Sequence, residues 1–294
     1  MLDKKKTIIA LGYFDSVHIG HQEVIKSAKA LADFHNATLT VVSFRGNLKS
    51  HTSNSNDKVV YTDFEREILY KNLGVDDVKF LKITPKLLSM KKLAFLNMIN
   101  KRYNVIGYVC GEDYRFGKDR CGDVDYIKQY AKKHSQIVRF LKVVETDGEK
   151  ISTSMIKRLL EQGNIEKANQ LLGKNYSVTE KVIKDRGVGK TIGFPTANVL
   201  IDGEKQKLKS GVYKGNVKTP FGEYKAVINY GPRPTFNLEE VILEAHLIGF
   251  DKNLYGKTIT VEFEKFLRDV CKFNDLDSLK KQLRKDVMEV KKNG

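Results

Sequence analysis

The hydrophobic rhythm of this chain changes once, near residue 175, and that change restricts the fold more than any other feature. Through residues 1–175, short β-branched runs at 7–11, 38–44, 78–83, 105–110 and 137–144 read as buried strands. Helical patterns at 22–34, 64–73, 91–103 and 124–134 separate them. Thr62, three residues before Glu65, predicts a capping box at the head of the second helix. Such alternation predicts a parallel sheet with helices on both faces and a ligand crevice at the carboxyl ends of the strands. Asn164 is expected to cap a further helix over 165–172, which Gly173 stops. From 176 onward six strand-like segments follow, at 177–184, 196–200, 212–218, 223–230, 241–248 and 258–266, and a single helical stretch at 276–290. Strands so closely spaced, with no helices between them, predict an antiparallel barrel or sandwich. Two domains are therefore expected, 1–175 and 176–294, α/β followed by all-β, each with room for its own site.

A length of 294 residues suits two such domains. With 15 Phe and 13 Tyr to bury, the bulk of the chain cannot be disordered. No apolar run reaches bilayer-spanning length and no signal-peptide core precedes Gly12, so no membrane partner is expected. Cys110, Cys121 and Cys271 are dispersed, odd in number and form no CxxC pair, which predicts a reduced, cytoplasmic protein. The net charge of +16 comes mostly from lysines scattered through both halves. Lysines so dispersed usually mark a solvated surface, and a basic aromatic stripe is missing, so the charge gives small anionic ligands only weak support and nucleic acid less.

The segment Gly12-Tyr13-Phe14-Asp15-Ser16-Val17-His18-Ile19-Gly20-His21 follows the first strand and opens the first helix. Free backbone N–H groups and the helix dipole favour phosphate there. Gly12 permits a close turn against a ligand, Gly20 permits phosphates to approach the backbone, and His18 and His21 fall on one face of the first turn. Both could donate to a triphosphate as charge develops on its leaving group; two helix-surface histidines are the plainer alternative. The motif resembles the signature of nucleotidylyltransferases, and in this form the FMN adenylyltransferase half of bacterial bifunctional FAD synthetases. The resemblance implies a Rossmann-like domain in which Gly12, Phe14, Asp15, His18 and His21 bind ATP, the histidines serving catalysis. Gly111-Glu112-Asp113-Tyr114-Arg115-Phe116-Gly117 is similar to the family's flavin-side segment and implies that Asp113, Tyr114 and Phe116 bind FMN; core packing is the alternative for the two aromatics. Ile151-Ser152-Thr153-Ser154-Met155-Ile156-Lys157 matches a further ATP segment, which implies phosphate contacts from Ser152, Thr153, Ser154 and Lys157. Three departures stand out. Ser16 replaces the usual glycine, Lys157 replaces arginine and loses its bidentate fork, and 44–47 lacks the family's Pro/His segment and runs into a polar stretch over 48–58.

Gly187-Val188-Gly189-Lys190-Thr191 suggests a P-loop, but position 184 is Lys, and Pro195 breaks any helix that would follow. Ile192-Gly193-Phe194-Pro195-Thr196-Ala197-Asn198 instead resembles riboflavin kinase. Thr196 and Asn198 alternate onto one face, where both oxygens suit one hard cation. The resemblance implies a six-stranded barrel with a terminal helix, ATP contacts from Gly187, Gly189, Lys190, Gly193, Pro195, Thr196 and Asn198, and Mg²⁺ held by Thr196 and Asn198. Leu243-Glu244-Ala245-His246 and Asn229-Tyr230-Gly231-Pro232-Arg233-Pro234-Thr235-Phe236 extend it. They imply that Glu244 is the base for the riboflavin hydroxyl, and Leu267-Arg268-Asp269 implies a flavin contact from Arg268. The expected function is FAD biosynthesis: riboflavin and ATP to FMN and ADP in the barrel, then FMN and ATP to FAD and pyrophosphate in the N-terminal domain. A chain with only one working half, the kinase foremost, is a second expectation. A basic flavin-responsive nucleic-acid regulator is a third.

Overall fold

The structure is a computed structural model and describes residues 5–46, 57–146, 148–184, 189, 192–232 and 240–292. Ile8, Ile9, Ala10 and Leu11 are all buried, as a strand must be when both its faces are covered. They belong to β1 (Lys6–Leu11), the centre of a parallel five-stranded sheet in the order β3-β2-β1-β4-β5. The others are β2 (Thr38–Phe44), β3 (Asp77–Leu81), β4 (Asn104–Gly111) and β5 (Ile137–Leu141). Thr7 pairs with Thr38 and Leu11 with Val42 on one side, while Ala10 pairs with Val109 on the other. Helices fill the crossovers: α1 (Ile19–Phe34), α2 (Asp63–Asn72), α3 (Pro85–Leu88), α4 (Lys92–Arg102) and α5 (Val124–Lys133). Ile9 and Leu11 share a core with Phe95, Leu96 and Ile99 of α4 and Ile127 of α5. Alternation leaves the opposite face of β1 for α1, which packs along β1, β2 and β4. The capping box of α2 is complete: Glu65 N–H donates to Thr62 Oγ1 at 3.3 Å and Thr62 N–H to Glu65 Oε2 at 2.8 Å. The strand expected to reach residue 144 stops at Leu141. A hairpin of β6 (Glu145–Thr146) and β7 (Glu149–Lys150) follows, with Gly148 at a φ of 77° in its turn.

Packing divides the chain into Met1–Thr153 and Ser154–Gly294, ahead of the change in sequence rhythm at 175. The reason lies in α6 (Thr153–Gln162), which groups with the second unit from Ser154 onward, and α7 (Ile165–Leu172), which groups with it entirely. There Asn169 Nδ2 donates to the Phe263 carbonyl at 2.8 Å, and Tyr176 N–H donates to Asn169 Oδ1 at 2.7 Å. Gly173 ends α7 in the left-handed region, as expected. Asn164 holds the N-cap position without a side-chain cap bond, contrary to expectation. Its ψ of 64° lies outside the extended backbone from which a side chain reaches the first amides.

The second unit is a six-stranded antiparallel sheet in the order β8-β13-β10-β11-β12-β9. Its strands are β8 (Tyr176–Lys181), β9 (Ala197–Leu200), β10 (Gly211–Thr219), β11 (Gly222–Pro232), β12 (Val241–Leu247) and β13 (Thr258–Arg268). A bridge between Ile183 and Asn198 joins the two edges, so the sheet is a nearly closed barrel. Tyr176, Tyr213, Tyr230, Leu243 and Phe263 are buried to 1% exposure or less. At Gly215 a β-carbon would lie 1.9 Å from the Glu262 carbonyl, so β10 can follow the bulged β13 only with glycine there. The terminal helix α8 (Leu276–Lys292) sets Val287 and Val290 against Val212 and Val227 on the barrel's outer face.

Candidate active sites

In the first unit the chain reverses its progress across the sheet between β1 and β4, and ligands bind outside strand carboxyl ends at such a switch point. The segments singled out in the sequence, 12–21 and 111–117, leave those two strands. Within the first loop, Phe14 and Val17 both have φ of 46°, although neither is glycine. Strain of this kind persists only where packing over-determines it. Phe14 is buried, edge-on to His21 at 5.3 Å and to Tyr70 at 6.4 Å. Tyr70 Oη donates to the Phe14 carbonyl at 3.1 Å, and burial pushes its phenol up to about 12. A β-carbon on Gly12 would lie 2.3 Å from the Phe14 ring, so that glycine makes the ring's seat. Phe14, expected among the ATP contacts, thus supports the loop from within. Asp15 is wholly buried, and its Oδ1 accepts from Val60 N–H at 2.9 Å, which fastens the loop to the neighbouring segment.

His18 is the N-cap of α1, its Nδ1 accepting from His21 N–H at 3.3 Å. That bond leaves the proton of a neutral ring on Nε2. The two imidazoles stack with centroids 3.6 Å apart and planes 20° from parallel. Gly20 leaves room beside this pair, since a β-carbon there would lie 3.1 Å from the His18 ring, a tight contact. Burial drives the His18 pKa down to about 4, and burial followed by the charge repulsion of His18 takes His21 well below its usual value. Both rings are neutral at pH 7. An unfolded histidine binds its proton below about pH 6.5, the folded His18 only below about 4. Between these values the unfolded state holds more protons, so stability falls as pH drops through that window, by on the order of 3 kcal/mol from His18. Urea midpoints of the full chain at pH 7, 5.5 and 4.5 should show that decline, and His18→Asn, which keeps a capping oxygen, should flatten it. Parallel pH curves for the two proteins would refute the assignment.

Asp113 forms an ion pair with Lys150, and both side chains are half-exposed. Tyr114 and Phe116 stack 5.7 Å apart with planes 13° from parallel. Phe116 is buried against Phe95 at 5.4 Å, so of the two aromatics only Tyr114 retains partial exposure. Phe116 backs Tyr114 from within the core. Ser152 and Thr153 are partly exposed; Ser154 and Lys157 fall in the second unit, where Lys157 is buried.

Sequence reasoning missed Arg66. It is fully buried, donating to the carbonyls of Tyr13 at 3.1 Å and Phe44 at 2.8 Å, to Ser43 Oγ at 3.3 Å and to Asp63 Oδ1 at 2.5 Å. Its guanidinium also lies 4.8 Å from the Phe80 ring centroid. The arginine thereby holds the carboxyl ends of β1 and β2 together beneath the loop, including Phe44 of the departed 44–47 segment; Asn47 lies outside the described residues. Its signal was its place one turn before the buried Tyr70 on α2, a helix face that amphipathic patterning assigns to apolar side chains.

In the barrel, strand register builds the second site. Glu244 of β12 pairs with Asn198 of β9 and with Asn229 of β11, so the three form one row across three strands. Leu243 and Ala245 face the interior; Glu244 shares the outer face with His246, opposite Val227. Asn229 Nδ2 approaches Glu244 Oε2 at 3.5 Å. Asn198 Nδ2 donates to Thr196 Oγ1 at 3.4 Å, while its buried Oδ1 has no hydrogen-bond partner among the described residues. An unsatisfied buried amide oxygen beside a threonine hydroxyl is a fitting donor set for a hard cation. Thr196 is held by the preceding turn: Phe194 N–H donates to the Gly189 carbonyl at 2.8 Å, Gly193 has φ of 86°, and His246 Nδ1–H donates to the Pro195 carbonyl at 2.8 Å. Gly187 and Lys190 lie outside the described residues. Arg268, expected at the flavin, instead grips Asp286 of α8 through Nε at 3.1 Å and Nη2 at 2.7 Å, and gives Nη1 to the Asp269 carbonyl and Cys271 Sγ. Its donors fasten the terminal helix to the barrel.

The fold thus carries two separately built candidate sites, one on a switch-point sheet and one on a barrel face, an arrangement that suits a transferase with a site in each half. Family models match both halves: FAD synthetase over residues 1–155 and riboflavin kinase over 172–293. The bifunctional riboflavin kinase/FMN adenylyltransferase of Bacillus subtilis is 33% identical over 98% of this chain and 92% of its own length. That of Haemophilus influenzae is 31% identical, covering 96% and 92%. A solved structure described as a macrolide-efflux protein from Streptococcus pneumoniae superposes with a TM-score of 0.86 at 30% identity, over 99% of this chain and 96% of that one. Among the described residues of the present chain, no helix is long and apolar enough to cross a membrane. The chain belongs to the bifunctional riboflavin kinase/FMN adenylyltransferase family.

Proposed function

We propose that the two halves perform successive steps of FAD synthesis, divided functionally at about residues 175 and 176. The barrel phosphorylates riboflavin with ATP to give FMN and ADP. The α/β half then joins AMP from a second ATP to FMN, releasing pyrophosphate and giving FAD. What carries this reading is that each half has a site of its own: the stacked histidines at the head of α1, and Glu244 set between Asn229 and Asn198.

In the barrel, Glu244 takes the proton of the riboflavin 5′-hydroxyl as its oxygen attacks the γ-phosphorus, while the backbone around Gly189 and Gly193 lies along the phosphates. Thr196 Oγ1 and Asn198 Oδ1 would hold Mg²⁺, which when bound neutralises charge on the phosphates. In the α/β half, His18 and His21 steady the departing pyrophosphate by hydrogen bonds, and Tyr114 lies against the flavin. No covalent enzyme intermediate is required. The three free thiols, two of them exposed, suit a reducing compartment, and we place the protein in the cytoplasm.

Incubating the protein with riboflavin, Mg²⁺ and ATP tests the whole scheme when FMN and FAD are separated over time. FMN should rise first and FAD follow at its expense. Accumulation of FMN without FAD would confine the activity to the barrel, and no product at all would overturn both assignments.

A further inference from the structure

The loop after β1 carries a serine where the motif it resembles has glycine, and the structure gives that serine a partner. Ser16 is fully buried, and its Oγ lies 3.1 Å from Thr153 Oγ1. The residues are 137 apart in sequence. One sits in the nucleotide loop and the other at the first position of α6, directly after Ile151 and Ser152. Phe14 and Val17 are left-handed in this loop, but Ser16 is not. Its backbone makes no demand for glycine, so the side chain is present without strain.

We propose that Ser16 is a positioning residue for adenylyl transfer: its hydroxyl fixes the rotamer of Thr153 and locks the loop of His18 and His21 to the segment 151–153. A threonine hydroxyl at a helix start divides its time among rotamers and local backbone acceptors. A buried partner removes that freedom before ATP arrives, and an orientation fixed in advance lowers the barrier to a step that depends on placement. The inference rests on the α/β half being the adenylyltransferase.

The test is a double-mutant cycle on the conversion of FMN to FAD in the full chain, with riboflavin phosphorylation as a control in the same molecule. Ser16→Ala should lower kcat/KM for ATP by about 3- to 10-fold, the effect of one orienting hydrogen bond. Thr153→Val should lower it at least as much, and the double variant should be no worse than Thr153→Val alone. Thr153→Ser keeps the hydroxyl and should lose less than Thr153→Val. Riboflavin phosphorylation should be unchanged in all four. Parental FAD formation by Ser16→Ala would overturn the proposal, and so would losses that multiply in the double variant. A parent chain that makes no FAD would sink the adenylyltransferase reading instead, which keeps the two failures apart.

Discussion

Glu244→Gln should abolish FMN formation from riboflavin, by about 10² to 10⁴ in kcat, while the same preparation converts supplied FMN to FAD at the parental rate. The magnitude is that of losing a general base. Glutamine keeps the shape of the side chain and can still accept a hydrogen bond from Asn229, whose Nδ2 stands 3.5 Å from the carboxylate. It cannot take a proton at neutral pH. The barrel should fold unchanged, because Glu244 lies on the outer face and the interior of β12 is supplied by Leu243 and Ala245. Assaying both reactions separates chemistry from unfolding, since a collapsed chain would lose both. Riboflavin phosphorylated at the parental rate by the variant would remove Glu244 from the mechanism.

The converse experiment is His21→Ala. FAD formation should fall by about 10² to 10³ in kcat, as when one preorganised donor to developing charge is removed, and FMN formation should persist. The capping bond survives the change, because His18 Nδ1 accepts from the backbone of residue 21. What disappears is the ring stacked 3.6 Å from His18 and edge-on to Phe14. If the ring serves only to pack the loop, KM for ATP will rise with kcat nearly intact. A loss confined to kcat marks a group that acts in the transition state.

Much of this was legible in the sequence, for reasons particular residues make plain. The continuous apolar run at Ile8, Ile9, Ala10 and Leu11 identified a buried strand, because a strand covered on both faces has no place for polar alternates. Leu243 and Ala245 alternate with Glu244 and His246, so period alone sets the carboxylate on the opposite face of the strand from the apolar pair. Thr62 with Glu65 marked a helix start because the bonds involved span three residues. Arg66 and Arg268 escaped for the opposite reason. Arg66 reads as a solvated helix residue until β1, β2 and α2 converge on it. Arg268 reads as a ligand contact until α8 brings Asp286 alongside. For Phe116 the sequence leaves flavin face and core packing both open, and its contact with Phe95 favours the second.

By itself, then, the sequence determined the element types and the order of an α/β half followed by an all-β half, and it singled out the candidate chemistry-bearing residues. Those depend on hydrophobic period, on caps spanning one turn, and on motifs whose functional groups lie within about ten residues of each other. The tertiary structure alone decided which of those groups are buried against partners and which stay partly exposed. Ser16 meets Thr153 across 137 residues, and Glu244 acquires Asn229 and Asn198 only through the register of three strands. Hydrogen bonds and packing act over a few ångströms of space whatever the distance along the chain, so such partners exist only after the sheet and barrel have closed around them.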